Sequence, residues 1–186
     1  MNNSIVLLAS GSGTLAQAIF EAVRTGELDV NILGLISDQP DAQVLKRSEQ
    51  FEIPTWTLPM KGDRAEWNLQ LANRVADLNP DLVVSVGFMR ILSPSFVSKF
   101  KVINSHPSLL PKFPGAHAVE EALTAGMDLT GASVHWVDAG IDTGKIIAQV
   151  EVPILSGENK ESLHERIKIA ERELIVKTLN ELLPTL

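Results

Sequence analysis

Cysteine is absent from the 186-residue sequence, which excludes a disulfide framework, a thiolate zinc site and a cysteine nucleophile. Basic residues are in the minority, 16 against 23 acidic ones, for a net charge of −7. Broad attraction to nucleic acid or to an anionic membrane needs the opposite sign, so neither partner is expected. One small basic pocket for a phosphate remains compatible with that balance. The apolar run Ile5 to Ala9 is far too short for a signal core or a membrane span, and Met1-Asn2-Asn3-Ser4 carries no basic residue. A cytoplasmic protein is the expectation. There is no internal repeat, low-complexity tract or convincing linker, and the length suits one well-buried core, so residues 1–186 read as a single domain.

Apolar runs alternate with helical patterns along most of the chain. Ile5 to Ala9, Ile32 to Ile36, Leu82 to Val86 and Val102-Ile103 are short and continuously apolar, as in strands covered on both faces. A short strand follows Ile53-Pro54. Helical spacing relates Leu15, Ile19 and Val23, ending near Gly26, and relates Trp67, Leu71, Val75 and Leu78, ending at Asn79-Pro80. Ala42 to Phe51 suits a helix, and Ser93-Pro94 opens a short one. This alternation predicts a mostly parallel, doubly wound, Rossmann-like α/β sheet. The last third differs: Ala132 to Val137 and Ile146 to Val152 lack an intervening helix, which predicts a late antiparallel or mixed edge. A long final helix carries Leu163, Ile167, Ala170, Leu174, Thr178 and Leu182 along one stripe.

Four segments carry candidate chemistry. Ser10-Gly11-Ser12-Gly13-Thr14 joins the first strand to the first helix. It is either a tight turn or a phosphate cradle at a helix start. Gly11-x-Gly13-x-x-Ala16 also fits a relaxed dinucleotide fingerprint, but the acidic residue that this needs, Asp38, comes late. In Asn104-Ser105-His106-Pro107-Ser108-Leu109-Leu110-Pro111-Lys112-Phe113-Pro114-Gly115, a strand runs directly into an amide, a histidine and a proline-stiffened loop. Ligand sites of open α/β sheets lie beyond such strand ends. A histidine and an amide there suit proton transfer and oxyanion stabilisation. Gly140-Ile141-Asp142-Thr143-Gly144 places a carboxylate between glycines, as an acidic turn or as a partner for a histidine in a loop able to close. Gly87 to Leu92 puts Arg90 among apolar residues, to line a pocket or to snorkel. His135 could face either side of its strand, and His164 reads as solvated. No short metal-ligand spacing and no Gly-x-Ser-x-Gly elbow is present, so neither a metal nor a serine hydrolase is expected.

Taken together, Gly87 to Pro94, Asn104 to Gly115, Ser133-Val134-His135 and Asp142-x-Gly144 occur in the order that characterises folate-dependent formyltransferases. From about Ile5 to about Leu174 the chain resembles those members of the family that act on glycinamide ribonucleotide in purine synthesis. The resemblance implies catalysis by Asn104, His106 and Asp142. It implies phosphate and ribose contacts from Gly13, Thr14 and Leu15, with Lys168 and Glu171 completing the site. It implies a folate site of Arg64, Met89, Arg90, Ile91 and Leu92, with Asn104 and the loop Asp138, Ala139, Gly140, Ile141 and Asp142. The implied co-substrate is 10-formyltetrahydrofolate, with no prosthetic group and no metal; the partners are small molecules, and a homodimer is left open. The chain departs from the family at Thr14-Leu15, where Ser-Asn is common, and at Lys168, where glutamine is common. Relatives that formylate charged tRNA or hydrolyse formylfolate carry an additional domain, which is not expected in this short acidic chain.

Overall fold

The computed structural model describes residues 3–186. A seven-stranded sheet runs in the order β3 (Thr55–Thr57), β2 (Asn31–Ser37), β1 (Ser4–Leu8), β4 (Leu82–Ser85), β5 (Val102–His106), β6 (Leu129–Trp136) and β7 (Ile146–Pro153). The first five strands of that order pair in parallel, whereas β5–β6 and β6–β7 pair antiparallel. The expected parallel sheet with an antiparallel edge is therefore the observed one.

Helices cover both faces. On one side lie α1 (Thr14–Thr25) and α6 (Lys160–Leu182), packed over Ile5 and Leu7 of β1, Val84 of β4 and Ile103 of β5. On the other lie α3 (Arg64–Leu78) and α4 (Pro94–Lys99), whose Trp67, Leu71, Val75 and Phe96 pack over Val6, Leu8, Val83 and Val102. Each strand thus sends alternate residues to two separate apolar layers, and this is why these strands read as uninterrupted apolar runs. Two further helices are α2 (Gln43–Gln50) and α5 (Ala118–Thr124). The sequence patterns did not disclose α5, because its seven residues bury only Ala118, Val119 and Ala122. The final helix buries a wider stripe than the sequence spacing suggested, including Ile175, Val176, Leu179 and the charged Glu171.

The helix ends follow their sequence signals. Asp63, Ser93 and Asn159 accept hydrogen bonds from the first turns of α3, α4 and α6. At α1, by contrast, no side chain caps the first turn, so its outermost N–H groups stay open. Gly13, which precedes this helix, has φ +75°, and a Cβ on it would lie 2.3 Å from Cγ2 of Val44. Steric fit and backbone conformation therefore both demand glycine here. Gly13→Ala is expected to destabilise the protein by about 1–3 kcal/mol, read as a lower urea midpoint at unchanged m-value.

Strand order reverses between β1 and β4, since the chain winds from β1 outward to β3 before returning to β4. Such a switch point opens a crevice at the carboxyl ends of the strands. The turn after β1, the segment after β4 and the loop after β5 all emerge there.

Candidate active site

A cleft of about 580 Å³ occupies that crevice, and its walls include Gly11 to Leu15, Ser85 to Leu92, Asn104 to Pro107, Asp138, Gly140 to Asp142, His164, Lys168 and Glu171. This is the size range of small-molecule sites.

Alternation along β5 sorts its residues. Asn104 and His106 share one face of the strand, whereas Ser105 points to the opposite face and donates to Glu171 of α6 at 2.8 Å. His106 is 4% exposed. Its Nε2 lies 2.8 Å from the carbonyl oxygen of Phe113, which can only accept, so Nε2 carries the hydrogen. Its Nδ1 lies 3.4 Å from Oδ2 of Asp142. Both ring nitrogens thus face acceptors.

The loop after β5 is held by its own hydrogen bonds. The Ser108 hydroxyl donates to the Lys112 carbonyl at 2.6 Å, and that of Ser133 donates to the Ser108 carbonyl at 2.6 Å. Gln149 of β7 reaches the Leu110 carbonyl at 2.9 Å. The segment that grips His106 is therefore fastened to both antiparallel strands.

Asp142 sits opposite, with φ +53°. The Gly115 N–H donates to its Oδ2 at 2.8 Å, which ties the two loops together. Burial pushes its carboxyl pKa up. That is outweighed by a hydrogen bond from His135, the Gly115 N–H and the nearby imidazoles, which leave it below the usual carboxylate range. The neighbouring glycines are explained by close packing: a Cβ on Gly144 would lie 1.7 Å from the Trp136 carbonyl oxygen, and one on Gly140 2.0 Å from the Thr143 hydroxyl. Asp138 closes the same loop by accepting from the Gly140 N–H and the Thr143 hydroxyl.

His135 is the functional candidate that sequence reasoning left undecided. It is 1% exposed and lies opposite Asn104 in the β5–β6 pairing. Its Nδ1 is 2.8 Å from the Trp136 carbonyl, and its Nε2 is 3.3 Å from Asn104 Nδ2 and 3.4 Å from Asp142 Oδ1. Its signals were its place in the Ser133-Val134-His135 piece of the resemblance and a polar residue between Val134 and Trp136, neither of which gives the direction of the side chain without the register.

The remaining sequence-selected residues divide. Gly13, Thr14 and Leu15 line the cleft, as do Lys168 and Glu171, although the Leu15 side chain belongs to the core. Leu15 can therefore offer the cleft only its backbone. Lys168 pairs with Glu165 at 2.7 Å. Glu171 is 8% exposed, and burial raises its pKa above the ordinary value. His164, expected to be solvated, is instead half-buried in the cleft wall one turn before Lys168. Burial and the Lys168 charge push its pKa below the ordinary value. Met89 and Ile91 are 70% and 60% exposed at the cleft, while Leu92 turns into the core. Arg90 is bound to Asp38 at 2.6 Å rather than extended into solvent. Arg64 and Ala139 lie outside the cleft lining: Arg64 stacks over Trp67 and donates to the Ile91 carbonyl, so it braces the wall from behind. Among the described residues no group of three or more acidic, histidine or cysteine side chains is placed to hold a metal.

Comparison with known proteins gives a consistent picture. The formyl transferase family model matches residues 3–179. A phosphoribosylglycinamide formyltransferase of Mycobacterium tuberculosis is 43% identical over 176 residues, which cover 92% of this chain and 81% of the relative. The Escherichia coli protein of the same name is 38% identical over 175 residues, covering 92% and 82%. The crystal structure of glycinamide ribonucleotide transformylase 1 from Geobacillus kaustophilus superposes with a TM-score of 0.94 at 37% identity, over 98% of this chain and all of that one.

Proposed function

The chain belongs to the formyl transferase family, and from that premise we propose that it transfers the formyl group of 10-formyltetrahydrofolate to the amine of glycinamide ribonucleotide. The products are formylglycinamide ribonucleotide and tetrahydrofolate, and the step belongs to purine synthesis. The observation that carries this reading is the convergence of Asn104, His106 and Asp142 on one cleft between a phosphate-type helix start and a wall of exposed apolar side chains.

The neutral amine attacks the formyl carbon and forms a C–N bond, while the carbonyl oxygen becomes an oxyanion. Asn104 donates a hydrogen bond to that oxygen. The Nδ1–H of protonated His106, whose contact with Asp142 is long at 3.4 Å, is shared with the same oxygen, while Nε2–H stays on the Phe113 carbonyl. Asp142 supports the imidazolium and helps to move the proton of the amine to the departing folate nitrogen. The tetrahedral intermediate then collapses, and the bond between the carbon and the folate nitrogen breaks. No covalent enzyme intermediate, metal or prosthetic group is needed. His135 holds the second oxygen of Asp142 and lies beside the Asn104 amide. Much of the rate comes from aligning two bound substrates. Residues 1–186 act in this reading as one catalytic domain working on small molecules in the cytoplasm; among the described residues no helix is long and apolar enough to cross a membrane.

In the same reading the phosphate rests on open N–H groups at the start of α1, with Lys168 and His164 opposite and Glu171 toward the ribose. Arg90, Met89, Ile91 and Leu92, with Asp138, Gly140 and Ile141, receive the folate. Lys168→Met is expected to raise the KM for the ribonucleotide by about three- to tenfold, a charge-assisted hydrogen bond discounted for partial exposure. The effect should shrink in high salt and leave the folate KM unchanged, as steady-state titration of each substrate will show. Gly13→Val cannot serve as the matching test, since it would collide with Val44.

A formyl-transfer assay offering glycinamide ribonucleotide, charged initiator tRNA and water as acceptors tests the assignment. Product from the ribonucleotide alone supports it; transfer to tRNA or water instead overturns it.

A further inference from the structure

We infer that Asp38 is a positioning residue, whose buried carboxylate fixes the phosphate-side turn after β1 relative to the folate-side segment after β4. The inference rests on the substrate reading given above. In a dinucleotide-binding fold, an acidic residue near the end of the second strand would face a ribose. Here Asp38, directly after β2, is 2% exposed and both of its oxygens are taken. Oδ1 accepts from the Ser10 hydroxyl at 2.5 Å, and Oδ2 accepts from Arg90 Nε at 2.6 Å and from Gln39 Nε2 at 2.9 Å. The Ser10 oxygen in turn accepts the Met89 N–H at 2.8 Å, and the Ser10 N–H donates to the Gly87 carbonyl at 3.0 Å. One carboxylate therefore joins the ends of β1, β2 and β4.

The two arms of this clamp lead to different ligands. Ser10 immediately precedes Gly11 and Gly13, while Arg90 and Met89 belong to the apolar wall. The Arg90 side chain is 28% exposed and makes no other hydrogen bond among the described residues, so Asp38 is what sets its direction. An asparagine keeps the shape of this carboxylate but not its charge, and it would reverse or break one arm of the clamp. Ser10, Arg90 and Gln39 all donate, and an amide would present a donor to at least one of them. Arg90 would also lose its counter-charge. A displacement of about 1 Å between two reacting groups costs about 10²-fold in rate, so a small relaxation of the clamp should be visible in turnover.

The test compares Asp38→Asn with the unsubstituted chain by calorimetric melting, by initial rates varied in both substrates, and by titration with tetrahydrofolate. The folded variant is expected to bind tetrahydrofolate about tenfold more weakly, the loss of one charge-assisted hydrogen bond, and to lose about ten- to a hundredfold in kcat. Adding Asp38→Asn to Arg90→Met should weaken tetrahydrofolate binding by less than the two single losses combined, since the Asp38–Arg90 contact is shared and only the Ser10 arm is newly lost. Full additivity, or a folded Asp38→Asn protein with unchanged kcat and folate affinity, overturns the inference. If Asp38→Asn fails to fold, Ser10→Ala decides: it keeps the ion pair and removes only the bridge to Met89, and should raise the folate KM at least threefold. An unchanged KM overturns the clamp. Should the unsubstituted chain form no formylated ribonucleotide, the proposed function fails, while the tetrahydrofolate titrations still test the clamp.

Discussion

His106→Ala is expected to lower kcat by about 10²–10⁴, the usual contribution of a positioned acid–base group, while the protein stays folded. The side chain is buried, but most of what surrounds it is held by other contacts. Ser108 donates to the carbonyls of Lys112 and Phe113, and the Gly115 N–H remains on Asp142. The loop therefore keeps these fastenings when the imidazole goes. What disappears is a donor next to the cleft, so the loss should fall on the chemical step and not on either KM. Single-turnover rates with both substrates saturating measure this directly. A folded variant within a few-fold of full activity would remove His106 from the catalytic set.

Asp142→Asn is expected to slow the chemical step by about 10² or more while both substrates still bind, because an amide keeps the shape and removes the charge behind the imidazole. The same substitution has a signature in stability. The folded pKa of Asp142 is depressed, since hydrogen bonds from His135 and Gly115 and the neighbouring imidazoles outweigh its burial. A depressed carboxylate contributes stability that is fully present above its unfolded pKa of about 3.9 and is lost as pH falls through the lower folded value. The melting temperatures of the two proteins should therefore differ most near pH 6 and converge toward pH 3. A constant offset across that range would mean that Asp142 stabilises the loop without its charge. A pH–rate profile identical in shape to that of the unsubstituted enzyme would separately exclude the proposed support of the imidazolium.

The reach of the sequence and its limits can be traced to particular residues. Continuous apolar runs such as Leu82 to Val86 identify strands covered on both faces, because no other arrangement hides every side chain of a short run. The missing helical pattern between Ala132–Val137 and Ile146–Val152 likewise announced the antiparallel edge. His106 and Asn104 were legible because they follow a strand and enter a proline-rich loop, a local pattern with few structural uses. Local patterns carried no comparable mark for α5, too short to show periodicity, or for His164, which looked like one more polar residue on an amphipathic helix.

By itself, then, the sequence determined the class of fold and the exclusion of thiol chemistry, and it singled out the amide and imidazole at the end of β5, while the Asp142 carboxylate stayed open between an acidic turn and a histidine partner. These follow from residue type and near-neighbour spacing, both of which survive in one dimension. The tertiary structure decided which distant groups meet. The register of β6 on β5 turns His135 toward Asn104 and Asp142, and the strand order 2-1-4 brings Asp38, Ser10 and Arg90 onto one carboxylate. Contacts across 28, 31 and 52 residues of chain depend on how strands are ordered and aligned. Those choices are made by the packing of two whole apolar layers against helices, and no local run of residues encodes them.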